Sequence, residues 1–331
     1  MKVLFIGGTG NISLDCTHEA VKAGIELYHL NRGQRRVALP PGVKTLTGDI
    51  RKPDEVARII KDMQFDVVVD WIAFVPEHIE TDIRLFSGKT AQFIFISSAS
   101  VYKKPVTESI ITEGTMLHNP FWEYSRNKIA CEERLVREYR ERGFPITIVR
   151  PSHTYSTGWF PTTFGSADFT VPARMLAGKP IVVHGDGQSL WTLTHTKDFA
   201  VGFNGLLGND KAIGEVFQIT TDEALSWDEI HRIIGRSLGV VPKIVHIPSD
   251  FIANYSAELG SGILGDKAYS VIFDNTKIKR WVPSYKAVIP FHVGMRWSAE
   301  WHHAHPESAV IDKKSEDEIE GLLAAWGKAH S

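Results

Sequence analysis

Residues 2 to 13 read KVLFIGGTGNIS and join an apolar run, a glycine turn and the start of a helical pattern. The run Lys2 to Ile6 predicts a buried strand, and the helical pattern after the turn ends at Gly24. Gly7 permits the tight turn, and Gly10 lets backbone N–H groups approach a pyrophosphate at the positive end of the helix. This order predicts the opening of a dinucleotide-binding fold, although a glycine turn alone would also fit an ordinary loop.

The other residues of this turn are expected to share the contact with the pyrophosphate. Ser13 stands where such motifs usually carry a third glycine, which allows close packing of helix on strand. Serine is small, but it is not equivalent in that role. The predicted cofactor contacts of the turn are Gly7, Thr9, Gly10, Asn11 and Ile12.

The second predicted strand, Glu26 to Leu30, ends without an acidic residue. A site specific for NAD commonly places an acid there, on the 2′-hydroxyl of the adenosine ribose. Asn31 occupies this position, and Arg32 could pair with a 2′-phosphate, with Arg35 and Arg36 behind it. The sequence predicts NAD(P) as the cofactor, with NADP slightly favoured over NAD; a solvated basic loop is the alternative reading of the arginines.

Strands and helices continue to alternate through the first half of the chain, which favours a parallel sheet with right-handed crossovers. Val43 to Leu46 predicts a short third strand, and Asp49 and Ile50 after it suit the edge and the face of an adenine. Phe65 to Phe74 is apolar apart from two aspartates, as expected of a strand covered by helices on both faces. Ala73, near its end, is a further predicted cofactor contact.

Two features of the chain predict catalytic groups. Gln92 to Ile96 predicts a strand that runs into SSASVY, residues 97 to 102, and a hydroxyl at this end of a parallel strand lies in the ligand-binding crevice. Tyr124 and Lys128 share one face of a predicted amphipathic helix. An ammonium beside a phenol lowers the pKa of the phenol toward the range of a base. We therefore expect Ser98 to bind a substrate oxygen while Tyr124 moves its proton, although each feature alone is common in proteins.

The composition argues against several other classes of protein. A net charge of −2 provides no basic field for nucleic acid, and no run of about 18 apolar residues predicts a membrane span. Cys16 and Cys131 are too few for a disulfide framework or a thiolate metal site, and they fit a reducing compartment. No acid stands at ligand spacing from the histidines at 302, 303 and 305, so no metal is predicted. We expect a cytoplasmic protein.

The order of these motifs resembles the extended short-chain dehydrogenase/reductase family, the group of nucleotide-sugar epimerases and dehydratases. The likeness covers nearly the whole chain. The segments that carry it are the glycine turn, Asp49-Ile50, SSASVY, YSRNK at 124–128, Arg150-Pro151, His195 to Asp198 and Asp274 to Lys277.

The resemblance implies an α/β fold, a Rossmann-type doubly wound parallel sheet with a smaller, partly interleaved C-terminal substrate lobe. Residues 1–151 are expected to form the NAD(P)-binding domain, with segments near 192–222 returning to it, and 152–191 and 223–331 to form the substrate-binding lobe and the C-terminal helices. It also implies a homodimer through a helical interface. Its catalytic trio corresponds to Ser98, Tyr124 and Lys128, and Lys128 also binds the nicotinamide ribose.

Departures from the family pattern narrow the predicted chemistry. Family dehydratases carry two acids directly after the catalytic hydroxyl residue, whereas Ala99 and Ser100 follow Ser98 here, so elimination of water is disfavoured. Nucleotide-sugar enzymes of the group also carry Arg or Asn at positions that align with residues 191, 263 and 169. Here these are Trp191, Ile263 and Phe169.

A diphosphate requires cations or many donors, which apolar residues do not offer. We therefore expect a smaller, sugar-like substrate, unless Arg174 or Lys179 supplies the charge. The predicted substrate contacts are Ser98, Ser100, His153, Tyr155, Phe169 and Trp191.

These features predict an NAD(P)-dependent oxidoreductase or epimerase that transfers hydride at a secondary alcohol or ketone of a sugar-like substrate, with Tyr124 as its acid and base. The alternative is a UDP-sugar 4-epimerase that retains NAD through its cycle. A non-enzymatic relative that senses the cofactor or binds RNA is less favoured, because such a protein needs no Ser, Tyr and Lys trio.

Overall fold

The computed structural model describes residues 1–35, 37–108, 110–165 and 167–329. Strands and helices alternate in its first half, as the sequence predicts. The strands are β1 (Lys2–Ile6), β2 (Glu26–Asn31), β3 (Lys44–Thr47), β4 (Phe65–Asp70), β5 (Thr90–Ile96) and β6 (Ile146–Pro151). The helices are α1 (Asn11–Lys22), α2 (Pro53–Ile59), α3 (Pro76–Phe86) and α4 (Glu123–Arg142).

The second half contains shorter elements. Its strands are β7 (His153–Tyr155), β8 (Pro180–His184), β9 (Leu190–His195), β10 (Val216–Ile219), β11 (Ala224–Ser226) and β12 (Lys243–Ile247). Its helices are α5 (Thr170–Leu176), α6 (Thr196–Asn204), α7 (Trp227–Ser237), α8 (Ser249–Tyr255), α9 (Ala257–Gly262), α10 (Thr276–Trp281), α11 (Phe291–Ala304) and α12 (Lys313–Ala329). A π-helical turn, Ile263–Lys267, follows α9.

A seven-stranded parallel sheet forms the centre of the molecule, in the order β10, β6, β5, β4, β1, β2, β3. The central strands are buried along almost their whole length, as apolar strands covered on both faces must be. The order reverses beside β1, whose neighbours are β2 and β4, and ligands of doubly wound sheets bind at this switch point. The predicted Rossmann-type fold is confirmed.

Two small sheets accompany the main one. Strand β9 pairs parallel with β7 and antiparallel with β11, and β8 pairs parallel with β12. Strand β10 instead returns to the main sheet, where Val216 to Ile219 pair with Ile148 to Pro151 of β6. The domain boundaries given above stay a prediction.

The fourth strand is shorter than the apolar run that predicts it. β4 ends at Asp70, because the Oδ1 atom of Asp70 accepts the N–H groups of Ile72 at 2.5 Å and Ala73 at 2.8 Å. This local turn takes the two N–H groups away from strand pairing. Among the helices of the described ranges, none combines the length and the apolar character that a membrane crossing requires.

Candidate active site

The glycine turn forms a cradle at the N-terminus of α1. Gly7 has a φ of 82°, and a Cβ atom there would lie 2.5 Å from the Cγ2 atom of Ile72. The N–H of Gly10 donates to Ser13 Oγ at 2.7 Å, and this hydroxyl donates to the carbonyl of Gly7 at 3.1 Å. Ser13 therefore stabilises the turn through its hydroxyl group. The third glycine that such motifs usually carry at this position does not predict this role.

The first N–H groups of α1, from Asn11 onward, have no partners within the helix and carry the positive end of its dipole. The turn lets the backbone approach a ligand closely, because Gly7 leaves no room for a Cβ atom. Together with the N–H groups at the start of α1, it fits a pyrophosphate. The cradle thus meets the requirements of a dinucleotide cofactor.

A cavity of about 540 Å³ lies beyond the turn and suits the adenosine half of such a cofactor. Asn31 lines it at the end of β2, Arg32 and Arg35 line it after β2, and Asp49 and Ile50 line it after β3. Asp49 is the one acidic side chain among the described residues that line it. Arg36 lies outside the described residues.

A second cavity, of about 600 Å³, shares Gly7, Gly10, Ile72 and Phe74 with the first. Its lining follows the carboxyl ends of β1, β4, β5 and β6, and the second half of the chain closes it. It brings together ten of the predicted site residues, which are Gly7, Gly10, Asn11, Ile12, Ser98, Ser100, Tyr124, Lys128, His153 and Trp191.

Lys128 is held at the base of this second cavity by main-chain groups. Its side chain is 1% exposed, and its Nζ atom donates to the carbonyls of Ala73 and Ile96, each at 2.7 Å. One of its three N–H bonds remains for another acceptor. Burial lowers the pKa of Lys128 to about 8. Ala73, a predicted cofactor contact, lines neither cavity and instead holds Lys128.

Tyr124 is partly exposed along the same wall. Burial raises its pKa to about 12, and its hydrogen bond with Ser98 offsets only part of that rise. The shift is opposite to the one that the Tyr–Lys spacing predicts. The ammonium of Lys128 lies 5.8 Å from the centre of the Tyr124 ring and is engaged by two carbonyls, so desolvation of the phenol outweighs it.

Three serine hydroxyls form a chain that ends at Ser98. Ser125 Oγ donates to Ser100 Oγ at 2.8 Å, and the Oγ atoms of Ser100 and Ser98 are 2.9 Å apart. Ser98 Oγ also accepts the N–H of Ser100 at 3.2 Å. When Ser100 is the donor of this pair, the proton of Ser98 is available to Tyr124 or to a substrate oxygen.

The predicted substrate residues divide into two groups. His153 and Trp191 line the second cavity, and burial lowers the pKa of His153 to about 3, so its ring is neutral. Tyr155 and Phe169 do not line it, because both fill the apolar core of the second half. Tyr155 packs edge-on against His195 and Phe291, and Phe169 packs against Phe160 and His302.

Asp266 is a lining residue that the sequence reasoning missed. It lies on the π-helical turn after α9, and burial raises its pKa to about 6 although Lys104 and Lys267 oppose the rise. The Gly265-Asp266 pair was the available signal in the sequence. Other lining residues that the sequence did not indicate are Ile72, Phe74, Trp122, Trp159 and Phe273.

The doubly wound sheet, the phosphate-binding turn and the helix with Tyr124 and Lys128 all border the same crevice. This combination defines a nicotinamide-dependent enzyme of the short-chain dehydrogenase type. Residues 3–220 match the model of the NAD dependent epimerase/dehydratase family. The chain belongs to this family and is an enzyme of it.

Individual relatives cover most of the chain. It is 25% identical over 286 residues to 2′-dehydrokanamycin reductase of Streptomyces kanamyceticus. The matched region covers 86% of this chain and 80% of the relative. It is 29% identical over 269 residues to the chloroplast stem-loop binding protein of 41 kDa b of Arabidopsis thaliana, 76% and 67% of the two chains. The UDP-glucuronic acid 4-epimerase of Bacillus cereus, solved with UDP-glucuronic acid and NAD, matches with a TM-score of 0.74 at 19% identity, over 92% of this chain and all of the other.

Proposed function

We propose that this enzyme reduces a ketone of a sugar-like substrate that carries no nucleotide, or oxidises the matching secondary alcohol, with Ser98, Tyr124 and Lys128 as catalytic residues. The observation that carries the proposal is the convergence of these three side chains on the cavity that joins the cofactor cradle to the walls of the second half. The relative that reduces 2′-dehydrokanamycin supports a substrate of this kind.

The bound nicotinamide would supply or accept the hydride. Gly7, Gly10 and the N-terminus of α1 would hold its pyrophosphate, and Asp49 and Ile50 its adenine. The remaining N–H of Lys128 would bind the nicotinamide ribose. We propose a preference for NADP, supported by Arg32, Arg35 and Arg51 at the adenosine cavity and by the absence of an acid at the end of β2 among the residues described there.

The ionisation of Tyr124 supports reduction as the favoured direction. With a pKa of about 12, its phenol keeps its proton at neutral pH and can donate it to the oxygen of a ketone as hydride arrives. Ser98 can donate a hydrogen bond to the same oxygen and stabilise the developing negative charge. In the direction of oxidation, Tyr124 would first have to lose that proton, which needs positive charge beside it.

The walls of the second cavity support a substrate without a diphosphate. Asp266 and Lys128 are the only Asp, Glu, Lys or Arg side chains among its described lining residues, and the half-buried Trp122 and Trp159 provide apolar surface for a sugar ring.

Arg174 and Lys179, the two cations that could supply charge for a diphosphate, are engaged elsewhere. Arg174 is 2% exposed and forms ion pairs with Glu316 and Glu320, and Lys179 pairs with the same two acids. Neither lines the second cavity. They therefore give no support to a diphosphate subsite.

The test is turnover of NADPH and NADH, followed by absorbance, with a panel of keto-sugars, keto-aminocyclitols and UDP-sugars. We expect oxidation of NADPH with substrates that lack a nucleotide, and a loss of about 100-fold or more in Tyr124→Phe because a general acid is removed. Tyr139→Phe on the same helix is the matched control, since Tyr139 is 37% exposed and lies outside both cavities.

Other outcomes would favour the alternatives. Cofactor retained through purification, with interconversion of UDP-sugars and no net redox change, would identify a 4-epimerase. Binding of RNA without any cofactor turnover would favour a non-enzymatic function like that of the stem-loop binding relative. Full turnover in Tyr124→Phe would refute the assignment of the trio.

We also propose that two copies associate through helices and that the protein works in the cytoplasm. The dimer rests on the family resemblance, and sedimentation would test it. The location is supported by Cys16 and Cys131, which are both free thiols in buried positions.

A further inference from the structure

Two aspartates meet in the interior behind Lys128. Asp70 ends β4 and Asp82 lies on α3, and both side chains are completely buried. Asp70 Oδ1 accepts the N–H groups of Ile72 and Ala73. Asp70 Oδ2 and both oxygens of Asp82 receive no donor from the rest of the described chain, and the two carboxyl groups lie close enough to act on each other.

A hydrogen bond between two carboxyl groups requires a proton between them, and two buried carboxylates in contact would repel each other. Asp70 already accepts two N–H groups, whereas Asp82 accepts none among the described residues. We propose that Asp70 and Asp82 share one proton, held mainly by Asp82, and that the remaining single negative charge positions Lys128.

The connection to Lys128 runs through the turn after β4. Asp70 fixes this turn through the N–H of Ala73, and the carbonyl of Ala73 accepts Lys128 Nζ at 2.7 Å. Arg51 donates to the carbonyl of Ile72 from the adenosine side. Asp70 is thus a positioning residue that acts on Lys128 through Ala73. It also fixes Ile72, which lies against Gly7 of the glycine turn.

Among the described acids that act on Lys128, Asp70 has no cation paired with it. Glu132 on α4 is neutralised by Arg150, with oxygen to nitrogen distances of 2.5 and 2.9 Å. Burial raises the pKa of the Cys131 thiol to about 12, so it is neutral. The titratable or charged groups that face Lys128 or the aspartate pair are Arg51, Asp70, His78, Asp82, Tyr124, Cys131 and Glu132.

Infrared spectroscopy tests the shared proton without any substrate. At about pH 8, where ordinary carboxyl groups are ionised, we expect the carbonyl stretch of one protonated carboxylic acid in the wild-type protein and its loss in Asp82→Asn. Asp66→Asn is the matched control on the same strand, because Asp66 is exposed and should leave the band unchanged. A wild-type spectrum without the band, or a band that persists in Asp82→Asn, would overturn the proposal.

The effect on Lys128 rests on its proposed catalytic role and is read from the pH profile of kcat/KM. Asp70→Asn should move the alkaline limb to lower pH by about one unit, because loss of a negative charge disfavours the ammonium. Asp82→Asn exchanges one neutral group for another and should leave the limb in place. An equal shift of the alkaline limb in both variants would contradict the assignment of the shared proton to Asp82. An inactive wild-type enzyme that still shows the infrared band would refute only the proposed function.

Discussion

Tyr124, Lys128 and Asp266 are each less readily charged in the folded protein than in water, and burial is the first cause in all three. The result is a site in which a phenol keeps its proton, an ammonium titrates near pH 8 and a carboxyl near pH 6. Between those last two values, Lys128 and Asp266 are both charged while Tyr124 is a neutral acid. This is the combination that proton donation to a ketone requires.

Asp266 provides a prediction at the scale of one residue. Its carboxylate can accept hydrogen bonds from hydroxyl or ammonium groups of a substrate, and it loses that ability as the pH falls through its raised pKa of about 6. We expect KM to rise several-fold below that pH while kcat changes less. Asp266→Asn should show the raised KM at every pH and lose the pH dependence.

The matched control for this variant is Asp62→Asn, because Asp62 is exposed and lines neither cavity. Steady-state kinetics of the three proteins from about pH 5 to 8, a range that brackets the pKa of Asp266, decide the matter. A wild-type KM that is flat across this range would show that Asp266 does not contact the substrate.

At the scale of elements, the sequence predicted the structural features that depend on residues close together in the chain. The turn at Gly7 and the shared face of Tyr124 and Lys128 depend on a few consecutive residues and on the helical repeat. They were found from the sequence for that reason, and so was the alternation that gives the parallel sheet.

Some contacts between distant segments were not predicted from the sequence. Asp266 reaches the cavity through a π-helical turn from the second half, and Tyr155 and Phe169 turn into the core because aromatic partners from α11 lie there. The direction of the Tyr124 shift depends on burial, which the spacing of two residues does not contain.

Asn119 provides a prediction at this scale, because it joins three elements around Tyr124. Its Nδ2 atom donates to the carbonyls of Ser100 at 2.8 Å and Gly265 at 2.7 Å, and its Oδ1 accepts the N–H groups of Phe121 and Trp122 before α4. Asn119→Ala would leave buried groups without partners, so we expect a loss of roughly 1–3 kcal/mol in the free energy of unfolding.

Urea denaturation measures this loss, and Asn209→Ala is the control because the side chain of Asn209 only caps a local turn, through an exposed hydrogen bond with the N–H of Lys211. We expect the control to lose less stability. Equal losses in the two variants would mean that the bridge between elements contributes nothing beyond a local cap.

At the scale of the whole molecule, the two adjoining cavities let a bound cofactor hold the main sheet against the second half. A ligand at a hundredfold excess over its Kd stabilises the folded state by about 2.7 kcal/mol. We expect NADPH to raise the melting temperature more than NADH at equal concentration. The difference should shrink in Arg32→Gln, since that arginine would pair with the 2′-phosphate.

Arg58→Gln is the matched control for the thermal measurement, because Arg58 is exposed and lies outside the adenosine cavity. The control should retain the full difference between the two cofactors. A larger rise with NADH in the wild-type protein would reverse the proposed preference.

The return of β10 to the main sheet has a consequence for how the chain acquires its structure. Until residues 216–219 have been made, β6 has no neighbour on its outer side, and its unpaired backbone groups can recruit a strand from another copy. Gln218 on β10 also accepts the hydroxyl of Tyr102 and donates to the carbonyls of Ile111 and Asp274. The nucleotide-binding half therefore completes its sheet only after much of the second half has emerged from the ribosome, and a fragment that ends at residue 151 is expected to aggregate.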